Sequence, residues 1–153
     1  MTIFGSGASR TILQGSSVGV LLTGNLPVTL SGVTITQGGQ SAIVIMQGSL
    51  TLENCVVSDS SSPGNPFSQG GGITNNQGIL VIKGTTLTNN KGRFGGGIAN
   101  IGGITTIIQS TITSNSVGSN EDGGGIASDE WSDYGYQIND QRQFGGDWRW
   151  DLK

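Results

Sequence analysis

The stretch Gly95-Gly-Gly-Ile-Ala-Asn-Ile-Gly-Gly-Ile-Thr-Thr-Ile-Ile-Gln-Ser-Thr-Ile-Thr-Ser114 decides the architecture. It joins a Gly-Gly-Gly-Ile-x-Asn phrase to a run in which apolar residues alternate with Thr or Ser. Both halves recur. The phrase occurs at Gly70 to Asn75, and Gly123-Gly-Gly-Ile126-Ala-Ser128 starts a further copy. The alternating run recurs from Gly48 to Asp59 and from Gly78 to Asn89, and an earlier copy runs from Leu26 to Gln37. Ile43, Ile73 and Ile98 each stand five residues before Gly48, Gly78 and Gly103, so the two elements keep a fixed register.

Aligning the copies produces four columns: Val28/Leu50/Leu80/Thr105, Leu30/Leu52/Ile82/Ile107, Val33/Cys55/Thr85/Ser110 and Ile35/Val57/Leu87/Ile112. Short runs of period two, rich in Val, Ile and Thr, are the signature of half-buried strands. Strands of this length cannot bury a sheet alone. Stacked unit on unit, each pairs in parallel with its equivalent one turn away, about 4.8 Å above. The expected fold is all-β: a right-handed, single-stranded parallel β-helix, or solenoid, of about five coils over residues 1–128. The columns become aliphatic ladders through Leu52/Ile82/Ile107, Val57/Leu87/Ile112 and Ile43/Ile73/Ile98. Glycine suits the sharp turns between faces. Asn75/Asn100 and Asn90/Asn115 are placed at corners, where Asn tolerates the left-handed conformation and stacked amides can bond along the ladder. Ser60 to Gln69, with Pro63 and Pro66, reads as a loop leaving one corner.

The composition agrees and excludes much. Of 153 residues 28 are Gly, and Gly, Ser, Thr and Asn together make nearly half the chain. Such a composition would suit disorder, but the apolar residues sit in register rather than at random. Strong helix formers are too sparse for a bundle. Glycine lacks the strict period of collagen. The single Cys rules out an intrachain disulfide, and the absence of His removes His-dependent triads and His-ligated metals. No apolar run approaches the roughly 18 residues of a membrane-spanning helix.

The linked Gly-Gly-Gly-Ile-x-Asn phrase and alternating strand resemble the coils of the pectin-lyase-like superfamily. They are most similar to bacterial surface and secreted repeat proteins such as polymorphic outer-membrane and choice-of-anchor proteins. Thr2 to Gly15 looks like an early coil of that kind. The resemblance spans residues 2 to about 128. It implies the β-helix and an extracellular or cell-surface location. It leaves function open, because the superfamily hosts lyases, hydrolases, adhesins and ice-binding proteins. The first 30 residues show no basic segment followed by a long apolar run, hence no signal peptide in this chain. A segment of a longer exported protein is therefore expected.

Residues 129–153 break the template. The run Asp129 to Asp140 offers no strand pair at the expected offset, and Trp131 stands where a turn Gly belongs. Residues 121–153 hold eight of the ten acidic residues and six of the nine aromatics. This tail reads as a cap over the open end, as a disordered or foreign terminus, or as a partner-binding segment.

Catalysis on this fold needs a cluster of charged groups on one outer face. The regular coils carry only Arg10, Glu53, Asp59, Lys83, Lys91 and Arg93. Glu53 and Lys83 share a template position and read as a surface ion pair. Asp59 reads as a turn residue, and Lys91 and Arg93 as solvated loop charges. Cys55 falls in a column of small residues and reads as packing, without a His to activate it. No catalytic or cofactor-binding residue is assigned. Glu121, Asp122 and Asp129 are the weak candidates for Ca²⁺, in an acidic stretch lacking calcium-loop spacing. An acidic chain without a basic stripe does not suit nucleic acid. Thr34/Thr36, Thr86/Thr88 and Thr111/Thr113 give outward Thr pairs of the kind an ice-binding face needs, but Val56 and Ser58 interrupt them. The leading expectation is a non-enzymatic spacer and adhesion or glycan-contact module, with carbohydrate or a host or cell-surface ligand as partner. The alternatives are a polysaccharide-active β-helix with its catalytic coils elsewhere or degenerate, and an ice- or surface-binding module.

The register makes its own test. Ile82→Asp places an unpaired charge in an aliphatic ladder and should cost several kcal/mol. Thr86→Asp should leave the melting temperature nearly unchanged. Equal tolerance of the two substitutions would refute the alignment.

Overall fold

The computed structural model describes residues 1–17, 19–62, 69–118 and 123–128, and the backbone of 136–138. The described chain is all strand and turn, wound as a parallel solenoid of about five coils. The first coil holds β1 (Thr2–Phe4), β2 (Ile12–Gln14) and β3 (Val20–Thr23). The second holds β4 (Pro27–Ser31), β5 (Thr34–Thr36) and β6 (Ile43–Met46). The third holds β7 (Ser49–Glu53), β8 (Val56–Ser58) and β9 (Ile73–Asn76). The fourth adds a short strand: β10 (Ile79–Lys83), β11 (Thr86–Thr88), β12 (Lys91–Gly92) and β13 (Ile98–Ile101). The fifth repeats it: β14 (Ile104–Ile108), β15 (Thr111–Thr113), β16 (Ser116–Val117) and β17 (Ile126–Ser128). β18 (Tyr136–Ile138) follows.

Each strand pairs with its equivalent one coil away, which makes three faces. Face A stacks β1, β4, β7, β10, β14 and β18; face B stacks β2, β5, β8, β11 and β15; face C stacks β3, β6, β9, β13 and β17. A two-stranded ribbon of β12 and β16 lies between faces B and C in the chain order, and Ser61 bridges to Lys91 beside it. Lys91 therefore sits on a short strand rather than in a loop, with its side chain still exposed.

The columns read from the sequence are the strand registers. Leu30, Leu52, Ile82 and Ile107 are direct partners on face A, and Ile35, Val57, Leu87 and Ile112 on face B. Ile43, Ile73 and Ile98 are partners on face C. All of these side chains are buried, none more than 3% exposed. One stretch departs from the template. Tyr136–Ile138 pairs with β14 and sets Ile138 opposite Ile107, so face A gains a sixth strand where the sequence pattern finds none. The run Tyr-Gln-Ile is too short and too weakly apolar to stand out as a strand; its pairing edge comes from β14. Residue 131 lies outside the described residues, as does most of the tail assigned to 129–153.

The corners need a correction. Asn75 and Asn100 lie on β9 and β13, not at left-handed turns, and Asn90 and Asn115 are not left-handed either. Most of the left-handed residues form three other columns. Gly24, Gln47, Gln77 and Gly102 turn the chain from face C to face A; Gly32, Asn54, Gly84 and Gln109 turn it from A to B; Gln37, Asp59, Asn89 and Ser114 leave face B. One residue at positive φ suffices to redirect a strand, and short polar side chains accept that conformation more readily than branched ones. Asn75 and Asn100 are instead extended residues whose amides point inward.

Two glycine positions are steric requirements. A Cβ at Gly70 or Gly95 would lie 2.0 Å from the Ile73 or Ile98 carbonyl oxygen, because the chain doubles back against face C there. That overlay buries Val44, Thr74 and Ala99, the residues between the inward columns of face C. A Cβ at Gly103 would meet Asn75 Nδ2 at 2.5 Å and the Gly78 carbonyl at 2.9 Å. Neighbouring substitutions should thus behave oppositely. Gly103→Ala should destabilise by about 1–3 kcal/mol through overpacking. Gly102→Asn, at a left-handed position with Gln47 and Gln77 as equivalents, should stay within about 0.5 kcal/mol of the parent in denaturant melts.

Candidate functional site

Any site on this molecule must be assembled from ladders, because each side chain sits over its equivalent from the next coil. The inner ladders are structural. Where the chain leaves face A, the left-handed residue still donates its N–H to the next coil: Asn54 to the Lys83 carbonyl at 3.0 Å, and Gly84 to Ile108 at 3.1 Å. Two residues later the N–H points to the preceding coil: Val56 to Val33, and Thr86 to Cys55, both at 3.0 Å. The residue between has no strand partner, and a buried N–H left unpaired is costly. Side chains from the next coil supply the acceptor. Thr85 Oγ1 accepts from Cys55 N at 3.1 Å, and Ser110 Oγ accepts from Thr85 N at 3.1 Å. Each hydroxyl donates to a carbonyl two residues back, Lys83 at 3.0 Å and Ile108 at 2.8 Å.

The corner after face B repeats the device. Ser60 Oγ accepts from Gly38 N at 3.2 Å, Asn90 Oδ1 from Ser60 N at 3.2 Å, and Asn115 Oδ1 from Asn90 N at 3.0 Å. Asn90 and Asn115 return their amide N–H to the carbonyls of Val57 and Leu87, each at 3.0 Å. On face C the inward Asn75 and Asn100 donate to the carbonyls of Gly78 (3.2 Å) and Gly103 (2.7 Å), and Asn75 Nδ2 reaches Asn100 Oδ1 at 2.8 Å. The stacked amides expected from the sequence are therefore present, inside the solenoid. Asn75 Oδ1 is buried without a hydrogen-bond partner, since the residue beneath it in the column is Ile45 rather than a third Asn.

Cys55 belongs to the same corner column and is 2% exposed. Its Sγ contacts the Glu53 carbonyl at 3.3 Å and the Leu30 carbonyl at 3.4 Å. Burial pushes the thiol pKa up, opposed by backbone hydrogen bonds at Val33, Glu53 and Gly32. A raised thiol is a poor nucleophile at neutral pH, so the packing role read from the sequence holds.

The outer faces carry the remaining chemistry. Lys83 Nζ lies 3.5 Å from Glu53 Oε1 on adjacent strands of face A, with side chains 48% and 39% exposed. A pair this open contributes at most about 1 kcal/mol. Arg10, Asp59, Lys91 and Arg93 are exposed. Asp59 occupies a left-handed turn position at φ 54°, as its alignment with Asn89 and Ser114 implies. Glu121, Asp122 and Asp129 lie outside the described residues.

Face B is the most regular exterior. Thr34, Val56, Thr86 and Thr111 are direct partners in one outward column, and Thr36, Ser58, Thr88 and Thr113 in the other. All are partly exposed except Ser58, which is 7% exposed. Val56 and Ser58 break the Thr pattern in chemistry but not in register. Ser58 Oγ reaches Thr36 Oγ1 at 3.5 Å, and Thr34 Oγ1 donates to the Ala8 carbonyl at 2.6 Å. On the exterior of the corners, glutamines stack as well: Gln47 Nε2 donates to Gln77 Oε1 at 3.1 Å, and Gln14 to Gln37. Sequence reasoning missed these exterior amide ladders. Their signal was the repeated Gln-Gly at 47–48 and 77–78.

No family model matches the chain, and neither a curated protein nor a solved structure gives a significant match to it.

The corner ladder is testable at one residue. Thr85→Val removes the acceptor for the Cys55 N–H and should cost about 1–3 kcal/mol in urea melts. Thr85→Ser, which keeps the oxygen, should recover most of that loss. Equal destabilisation by both would show that the methyl packing, not the hydroxyl, matters.

Proposed function

We propose that this chain is a non-enzymatic segment of an exported surface protein. On this reading it is a right-handed parallel β-helix of the pectin-lyase-like kind, serving as a stiff spacer and offering its exterior for adhesion or glycan contact. The observation that carries it is the nature of the described exterior. Stacked Thr, Ser and Gln share the described exterior with exposed apolar residues such as Ile79 and Ile104, and the ion pair seen among the described residues, Glu53–Lys83, is solvated. Polysaccharide cleavage on a β-helix needs at least a base, an acid or cation ligands converging on one sugar. A neutral ladder suits repeated weak contacts along an extended partner, each modest and summed over coils.

The test is a paired assay of the purified chain. Neutral and anionic polysaccharides are incubated with it and followed for new reducing ends and unsaturated products, while retention on immobilised glycans and whole cells is measured in parallel. Retention without cleavage is expected. Turnover that disappears on replacing Glu53 or Lys83 would overturn the proposal.

A further inference from the structure

We propose that two copies of this chain pair end to end through their first coils, adding strand to strand in antiparallel fashion across a two-fold axis. The pairing goes beyond the spacer and contact reading and does not rest on it. Among the described residues, β1, β2 and β3 are the outermost strands of faces A, B and C and are paired on one side only. On face A the Met1 carbonyl accepts from Thr29 N, and Gly5 N donates to the Ser31 carbonyl. On face B the Thr11 carbonyl accepts from Thr34 N, and Gly15 N donates to Thr36. On face C Val20 N donates to Ala42, and Gly24 N to Met46. In a parallel ladder every second residue turns its N–H and C=O to the same neighbour. Thr2, Phe4, Ile12, Gln14, Leu21 and Thr23 therefore turn theirs away from the second coil, toward the open end.

The side chains at this edge differ from those of the later coils. Phe4 stands in the outward column of Ser31, Glu53 and Lys83, and Ile12 in that of Thr34 and Thr86. Leu21 aligns with Val44, Thr74 and Ala99, which the overlay on face C buries. Phe4, Ile12 and Leu21 are instead 77%, 59% and 58% exposed. Inside, Ile3, Leu13 and Leu22 end the ladders and are only partly buried. Free strand edges are ordinarily blunted by charged side chains or Pro, and β1, β2 and β3 contain neither. The long corner of residues 5–11 leaves the edge open, because its Ala8 carbonyl accepts from Thr34 Oγ1 and so leans over the second coil.

A single extended strand could answer one face. Answering all three at once takes a partner with three edges in the same arrangement, and a second copy has them. The end of a solenoid is a ramp that climbs one strand spacing, about 4.8 Å, in one coil. Two such ramps meet at constant spacing when the two-fold axis passes through the step and through the middle of the coil, which is β2. Strand β2 then lies antiparallel to its own copy, and β1 to the partner's β3. Outward, Phe4 stands beside the partner's Leu21, Thr2 beside the partner's Thr23 and Ile12 beside the partner's Gln14. Inward, Leu13 meets the partner's Leu13, and Ile3 the partner's Leu22. Antiparallel strands alternate bonded and non-bonded pairs, and the bonded pairs fall on the six residues with free backbone groups. About twelve hydrogen bonds result, within the roughly 10 ± 5 of a specific interface. The first coil engages on the order of 20 residues a side, the size of an interface of roughly 800 Å² per partner. The two-fold closes the assembly at two copies.

The experiment measures mass by sedimentation equilibrium, and amide hydrogen exchange, on the full chain. Four variants accompany it: Phe4→Lys, Leu21→Glu, the two combined, and Ile79→Lys on the outer side of face A, away from the end. Lys83 already occupies the column of Phe4 in the fourth coil, so Phe4→Lys suits the fold. Each variant is first shown to keep the parent circular dichroism spectrum and melting curve. The parent is expected to be a dimer with the amides of Phe4, Ile12 and Leu21 protected. Phe4→Lys and Leu21→Glu should each weaken association by about tenfold or more. The combined variant should regain it, because opposite charges then face each other between β1 and the partner's β3. Ile79→Lys should leave it unchanged. If Phe4→Lys does not fold, Ile12→Lys takes its place. A monomeric parent would overturn the proposal, and protection of those amides in a monomer would assign the edge to another segment of the same chain. Open-ended oligomers would overturn the two-fold. Loss of the dimer in Ile79→Lys but not in Phe4→Lys would overturn the end, and no recovery in the combined variant would overturn the register.

Discussion

Every coil of this chain must leave one face and enter the next, and at each turn the strand ladder changes direction. At the corners that end faces A and B, the N–H of the left-handed residue points to the next coil, and the N–H two residues later points to the preceding one. The residue between them points inward and finds no backbone partner. A buried N–H cannot be left there without losing its hydration for nothing. The side chains that answer it, Thr85, Ser110, Ser60, Asn90 and Asn115, come from equivalent positions of neighbouring coils. Each both serves the coil on one side and is served by the coil on the other. The solenoid is held in register by this reciprocity as much as by its aliphatic core.

That constraint explains the composition. A corner uses one residue at positive φ, followed in most coils by a small polar or glycine residue, with Val33 and Cys55 in that place in the second and third coils. Gly, Ser, Thr and Asn are consumed there and on the outward strand positions, which leaves few sites for charge. The inward positions can be few because each Leu or Ile is covered by its equivalents above and below. Asn75 marks where the rule runs out. Its amide continues the ladder toward Asn100 but its oxygen faces Ile45, so one buried acceptor is left without a partner at the boundary between apolar and polar stretches of the same column. The same regularity shapes the exterior. A face made of equivalent positions presents a repeating pattern, and convergent charged groups of the sort catalysis demands would have to break it.

Much of the fold was legible because stacking copies one residue type into a column. Leu52, Ile82 and Ile107 could be matched by eye, and so could Ile43, Ile73 and Ile98, and all of them pair in the structure. Cys55 could be placed with Thr85 and Ser110 on the same logic. The turns were less legible. Asn was expected at left-handed corners because it tolerates them, yet Asn75 and Asn100 face inward, and Gln47 and Gln77 turn the chain instead. Backbone tolerance is a property of one residue, while the demand for an inward amide arises only from the neighbouring coil. β18 was hidden for the same reason, since its strand character comes from the edge of β14 rather than from its own three residues. The outward face was visible as Thr pairs, but whether Val56 and Ser58 disrupted its geometry or only its chemistry depended on register that the sequence does not display.

The central claim is that side chains from neighbouring coils close the corners. Native-state amide hydrogen exchange measures it most directly, residue by residue. The amides of Cys55, Thr85, Ser60 and Asn90 lie outside the strand ladder but are bonded to side-chain oxygens of the next coil, buried for the first three and part-buried for Asn90. The account predicts protection close to that of Leu52 and Ile82 on the adjoining strand ladder. Exchange of those four amides at the rate of an unprotected turn, with the strand amides still protected, would contradict it.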